Sequence, residues 1–185
     1  MEKWPHGLTE MRKFYGTPWN SAGKLDQSWY DSNVISMVLP YQMEVAWSPG
    51  SVVKRIQVHK KCAASLEKIL KEIWAQARIM VKQEEGYDHD SSFYDIKTRA
   101  KLKALHLDQF GGTFNFRKIH GSTKYSGHSW AASIDIDPLH NVQGDQTPEM
   151  PAWVVKIFED EGWVWGGRWS GKKKDGMHFQ AFDKY

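Results

Sequence analysis

Cysteine is nearly absent from this 185-residue chain: the single Cys62 excludes an internal disulfide and equally excludes a cysteine-built zinc cluster. Long apolar runs are missing too. None approaches the roughly 18 residues that cross a bilayer, so the chain reads as globular with no membrane insertion. The opening MEKWPHGLTE lacks the apolar centre of a secretory signal, and read as a natural start it predicts synthesis in a cytoplasm. Charge of one sign is scarce, with 25 Lys and Arg against 22 Asp and Glu, a net +3. That excess, without an interleaved basic and aromatic stripe, argues against a nucleic-acid partner, while leaving a mild preference for anionic surfaces. No internal repeat or low-complexity segment is evident.

What is present is enough apolar residue, 41% of the chain, for one domain with a substantial core. Residues 1–49 hold Pro5, Pro18, Pro40 and Pro49 and read as an irregular N-terminal wrap ahead of a core over residues 50–185. Alternation predicts a strand over Val52 to Val58. Next, Leu66, Ile69, Leu70, Ile73, Trp74, Ala77, Met80 and Val81 recur at three and four, predicting a helix that Gly86 stops and that Cys62 opens as a core residue. YDHDSSFYDIKTRAKLK reads as polar and turn-rich; its His89, Asp88, Asp90 and Asp95 are metal-loop residue types with nothing to fix a geometry. GGTFNFRKIHGS and HSWAASIDID read as neighbouring strands, with a tight turn at Ser126 and Gly127. A second helix is expected in TPEMPAWVVKIFEDEGW, capped by Thr147 and closed by Gly162, before strand-like WVWGGRW and MHFQAF. Together these predict an α+β domain: a small, mostly antiparallel sheet packed on two long helices.

Two stretches call for compensation. SGHSWAASIDID and DGMHFQAF each set His and Asp among apolar neighbours, where a bound metal ion would offset their burial. Zinc in a hydrolytic site takes three ligands from His, Asp and Glu and leaves a position for water. His128, Asp135 and His178 supply that set, on the open face of the sheet. Strand alternation turns Asp135 away from Ile134 and Ile136, whereas His128, an odd number of positions earlier, needs a turn to return to the same side. Asp175 approaches across a turn at Gly176 as a proton acceptor for the attacking water, and Arg117 on the neighbouring strand faces a developing oxyanion. Ser126, Trp130 and Trp169 are candidates for substrate contact, although a turn role is at least as good a reading for the serine, and wall or core is a better one for the two tryptophans. A chain with eight His and twenty-two acidic residues also presents such pairs by chance.

In SGHSWAASIDID, WGGRW and DGMHF, taken in that order, the sequence resembles the zinc peptidases of the D-alanyl-D-alanine carboxypeptidase and L-alanyl-D-glutamate endopeptidase group, which includes phage endolysins. The similarity runs from about Val34 to Phe182 and is strongest after Gly111. It departs from the family pattern at Ala131 and Ser133, where the family has Gly and Ala, and at Arg168, which replaces a usually acidic residue. The resemblance implies zinc on His128, Asp135 and His178, Asp175 as catalytic base and Arg117 beside the scissile carbonyl. It further implies a peptidoglycan substrate and a monomeric endolysin that cleaves the L-alanyl-D-glutamate bond after release to the cell wall. D-alanyl-D-alanine carboxypeptidase or dipeptidase activity, and a non-catalytic wall-binding module, are the alternatives.

Overall fold

The structure, a computed structural model, describes residues 4–87 and 89–184. Helices α1 (Gly7–Tyr15) and α2 (Gln27–Asn33) lead into a hairpin of β1 (Val34–Val45) and β2 (Val52–His59), then α3 (Lys60–Glu85) and α4 (Ser91–Ala104). Strand β3 (Gln109–Gly112), a 3-10 turn over Gly127–Trp130, β4 (Ser133–Ile136), α5 (Ala152–Asp160), β5 (Val164–Trp165) and β6 (His178–Gln180) follow. The strands form one sheet of order β2-β1-β3-β4-β6-β5, antiparallel except where β1 runs parallel to β3. The architecture is therefore mixed α and β around a mostly antiparallel open sheet.

Several expectations change. The segment expected to be an irregular wrap contains α1, α2 and the twelve-residue β1, because its few large apolar residues find the core: Met11 and Tyr15 are buried. Pro40, which has no N–H to donate, lies where the β1–β2 register shifts between Val38 and Met43, so the strand continues around it. The polar stretch after Gly86 forms α4, its N-terminus capped by Asp90, whose carboxylate accepts from the Phe93 N–H at 2.8 Å. Of the two helices expected to be long, α3 has 26 residues, whereas α5 has nine, starts after Pro151 and takes no cap from Thr147. Beyond Gly112 the chain leaves the sheet, and Arg117 is not on a strand.

Helix α3 forms as its pattern predicts, burying Leu66, Ile69, Leu70, Ile73 and Val81, and each large aliphatic side chain so removed from water contributes about 1.5–3 kcal/mol. Its partners include β1 and α5. The Trp163 indole N–H donates to Ser65 Oγ at 3.0 Å, and Phe158 of α5 stacks on Phe179 of β6 at 3.8 Å. The back of β4 and β6 is thereby sealed, with Ile134, Ile136 and Phe179 all fully buried. No helix among the described residues is long and apolar enough to cross a membrane.

At the end of β2, His59 is wholly buried and uses both ring nitrogens as a neutral imidazole. Its Nδ1 accepts from the Lys61 N–H at 3.2 Å, and Nε2 lies 3.1 Å from the Tyr15 carbonyl, to which it donates. Burial drives its pKa from 6.5 down to about 4, against the Tyr15 hydrogen bond and with the charges of Lys61 and Lys60 assisting. The unfolded chain takes up this proton at a higher pH than the folded one. The contribution is therefore complete above about pH 7 and declines as pH falls, reaching a loss of about 3 kcal/mol near pH 4. Urea unfolding at pH 7 and at pH 4.5 should show a steeper loss for wild type than for His59→Gln; equal losses would show that His59 does not carry this dependence.

Candidate metal centre

In the antiparallel pair β4–β6, Asp135 stands opposite His178 and Ser133 opposite Gln180. Alternation places these four side chains on one face. Asp135 Oδ1 is 2.9 Å from His178 Nδ1. His128 joins them from the 3-10 turn, which Ala131 ends in a left-handed conformation at φ 52°; this is the turn that the odd spacing demanded. His128 Nε2 then lies 3.2 Å from Asp135 Oδ2 and 3.2 Å from His178 Nδ1. The two histidines are buried and the Asp135 side chain keeps only 15% of its surface exposed.

The remaining ring nitrogens are engaged elsewhere. His128 Nδ1 donates to the Thr113 carbonyl at 2.9 Å. His178 Nε2 donates to Gln180 Oε1 at 3.0 Å, and the amide of Gln180 is itself oriented by donating to the Phe182 carbonyl at 3.0 Å. These partners settle which nitrogen of each ring faces the cluster, as second hydrogen bonds of metal-ligating histidines do. Burial alone would push the Asp135 carboxyl up, but the adjacent imidazoles of His128 and His178 hold it well below the usual carboxylate range. Conversely, burial opposes protonation of His178, and the hydrogen bond and charge of Asp135 raise its pKa nevertheless.

Asp175 lies in the turn before β6, where its carbonyl accepts from the His178 N–H at 3.2 Å and its own N–H donates to the Gly166 carbonyl at 3.0 Å. Its Oδ1 is buried with no hydrogen-bond partner. Burial raises this carboxyl to about 6, Asp135 adds to the rise, and His178, His128 and Arg117 pull against it. Arg117, exposed, thus bears on Asp175 through its charge. Its segment is clamped to the 3-10 turn by Ser129, whose Oγ donates to the Arg117 carbonyl at 2.9 Å and accepts from the Arg117 N–H at 3.1 Å.

Among the other candidates, Trp169 packs against His178 at a ring separation of 5.5 Å and walls the cluster. Trp130 is fully buried in the core, its indole N–H donating to the Gly16 carbonyl at 3.0 Å. Ser126 caps the turn that carries His128. Arg168 pairs with Glu159 of α5 through two nitrogens, at 2.5 and 2.9 Å. Of the possible cation loop, Asp88 lies outside the described residues; Asp90 is committed to capping α4, Asp95 pairs with Arg78, and the His89 ring meets the Glu85 carbonyl.

Thr113, Ser129 and Gln180 do not stand out in the sequence as supports, although Gln180 sits two places after His178 on the same strand face. Two glycines were also silent. A Cβ on Gly111 would lie 2.7 Å from Asp135 Cβ, and one on Gly166 would lie 2.6 Å from the Asp175 carbonyl oxygen and 3.3 Å from His178 Cβ. Each backbone passes where only glycine fits.

A family model described as D-alanyl-D-alanine carboxypeptidase matches residues 120–181, a segment that contains His128, Asp135, Gly166, Asp175 and His178 but not Arg117. No curated protein and no solved structure matches the chain.

Because a Gly166→Ala methyl must displace the backbone of the Asp175 turn, any divalent ion that the cluster takes up, tested with zinc, is expected to bind about 10–100-fold more weakly in this variant while the protein remains folded. Competition with a chromophoric chelator measures this, with circular dichroism as the check on folding. An unchanged affinity would show that the glycine does not hold the turn.

Proposed function

We propose that this protein is a zinc-dependent hydrolase of the peptide stems of bacterial peptidoglycan, the ion being held by His128 Nε2, Asp135 and His178 Nδ1. The observation that carries the reading is a second carboxyl, Asp175, half-buried with its Oδ1 enclosed and poised near neutrality beside a converging His–Asp–His donor set. Those three donors lie within 4.8 Å of one another, and two imidazole nitrogens with one carboxylate form a set that suits zinc in hydrolytic sites. The family match over residues 120–181 supports the same reading from the sequence.

When bound, zinc acidifies water and polarises a carbonyl oxygen. The chain does the rest. Thr113 and Gln180 hold the two imidazoles in the orientation that binding requires. Asp175 takes the proton of the attacking water on its carboxylate and returns it to the nitrogen of the leaving amine, a role that a pKa of about 6 fits because the group both accepts and releases a proton near neutral pH. Arg117 faces the charge that develops on the carbonyl oxygen, and Trp169 keeps solvent from one side of His178. Lys172 and Lys173, exposed in the loop before Asp175, favour the anionic wall, a contact that weakens with salt.

We read the enzyme as a monomer of endolysin type acting on the wall after release, with the L-alanyl-D-glutamate bond as its target. The matched family's description favours the terminal D-alanyl-D-alanine bond as the second reading.

Asp175→Asn and Asp175→Ala are expected to keep their zinc and to lose about 10²–10⁴-fold in hydrolysis of purified peptidoglycan. Mass spectrometry of the fragments released by wild type reads the severed bond from its new termini. Undiminished hydrolysis in both variants would remove Asp175 from the chemistry and with it the catalytic reading.

A further inference from the structure

A second group of metal-ligating side chains, apart from the first, joins two loops at the other end of the β3–β4 pair. His106 lies between α4 and β3, while Asp137 and His140 follow β4. One ligand atom from each lies within 4.8 Å of the other two. Asp137 is buried and its carboxylate is divided between two partners. Oδ2 accepts from Asn141 Nδ2 at 2.8 Å, which leaves Oδ1 toward the histidines, 2.6 Å from His140 Nδ1. The His106 ring stacks on that of His140 at 3.9 Å.

A loop that only needed to satisfy Asp137 would require one imidazole. His106 supplies a second, makes no ring hydrogen bond among the described residues, and has a left-handed backbone at φ 56°. Left-handed backbone is unfavourable for a residue with a side chain, and Asp137 is in the same conformation at φ 50°. Two imidazoles gathered on a half-committed buried carboxylate, with Glu149 adding negative charge nearby, are what a borderline divalent ion binds. Calcium and magnesium prefer all-oxygen sites.

We propose that His106, Asp137 and His140 form a second binding site for a divalent transition ion such as zinc, stapling the loop that enters β3 to the loop that leaves β4. The staple abuts the first cluster through Asn141, whose carbonyl accepts from the Met177 N–H at 3.2 Å, next to His178. This site stands or falls separately from the hydrolase reading.

The experiment is a zinc titration of the untagged full chain against a chromophoric chelator, comparing wild type, His106→Ala/His140→Ala and His128→Ala/His178→Ala. Wild type should bind one more equivalent than the His106→Ala/His140→Ala variant. Loss of an equivalent in the His128→Ala/His178→Ala variant reports on the first cluster alone. A second measurement needs no substitution: diethyl pyrocarbonate should modify His106 and His140 in metal-free wild type, and zinc should protect both from it, as read by peptide mass spectrometry. Equal stoichiometry in wild type and His106→Ala/His140→Ala, or labelling that zinc leaves unchanged, overturns the site.

Discussion

The molecule is organised around a carboxylate enclosed by two imidazoles. Burying the charge of Asp135 is costly, and the cost is offset only if His128 and His178 arrive from different parts of the chain with their nitrogens aimed inward. That requirement propagates outward. It specifies the β4–β6 register, since shifting it by one residue would turn His178 to the far face. It requires a left-handed residue, Ala131, between His128 and β4, and a glycine at position 111, where β3 crosses Asp135.

The same strands present opposite chemistries on their two faces. On the front of β4 and β6 are Ser133, Asp135, His178 and Gln180; on the back, Ile134 and Phe179 pack into the core with Phe158 of α5. The N-terminal segment belongs to that core. The Tyr15 hydroxyl donates to the Ala181 carbonyl at 2.6 Å, and the Tyr15 carbonyl accepts from the Trp29 indole at 2.8 Å. A polar cluster needs rigid support if its donors are to stay converged, and here the packing behind the sheet provides it.

Two carboxyls that feel the same two histidines are driven in opposite directions. Burial acts upward on both. Asp135 is nonetheless held ionised by direct contact with His128 and His178, whereas Asp175 has no such contact for Oδ1 and rises to about 6. Environments that separate two like groups in this way divide their labour, one suited to binding a cation and the other to carrying a proton.

The sequence by itself determined the local features. Periodicity marked α3 and β2, and alternation put Asp135 opposite in sense to Ile134 and Ile136, because those signals are written in residues a few positions apart. The residue types His, Asp and His in a hydrophobic setting were legible for the same reason, ligand chemistry suggested grouping them, and the family likeness supported that grouping. The tertiary structure alone decided that the N-terminal segment is helix and strand rather than wrap, that Trp130 is core, and that Arg117 lies off the sheet. It alone brought His106, from before β3, beside Asp137 and His140. These depend on which distant surfaces meet, and contacts between residues far apart along a chain leave no period in it to read.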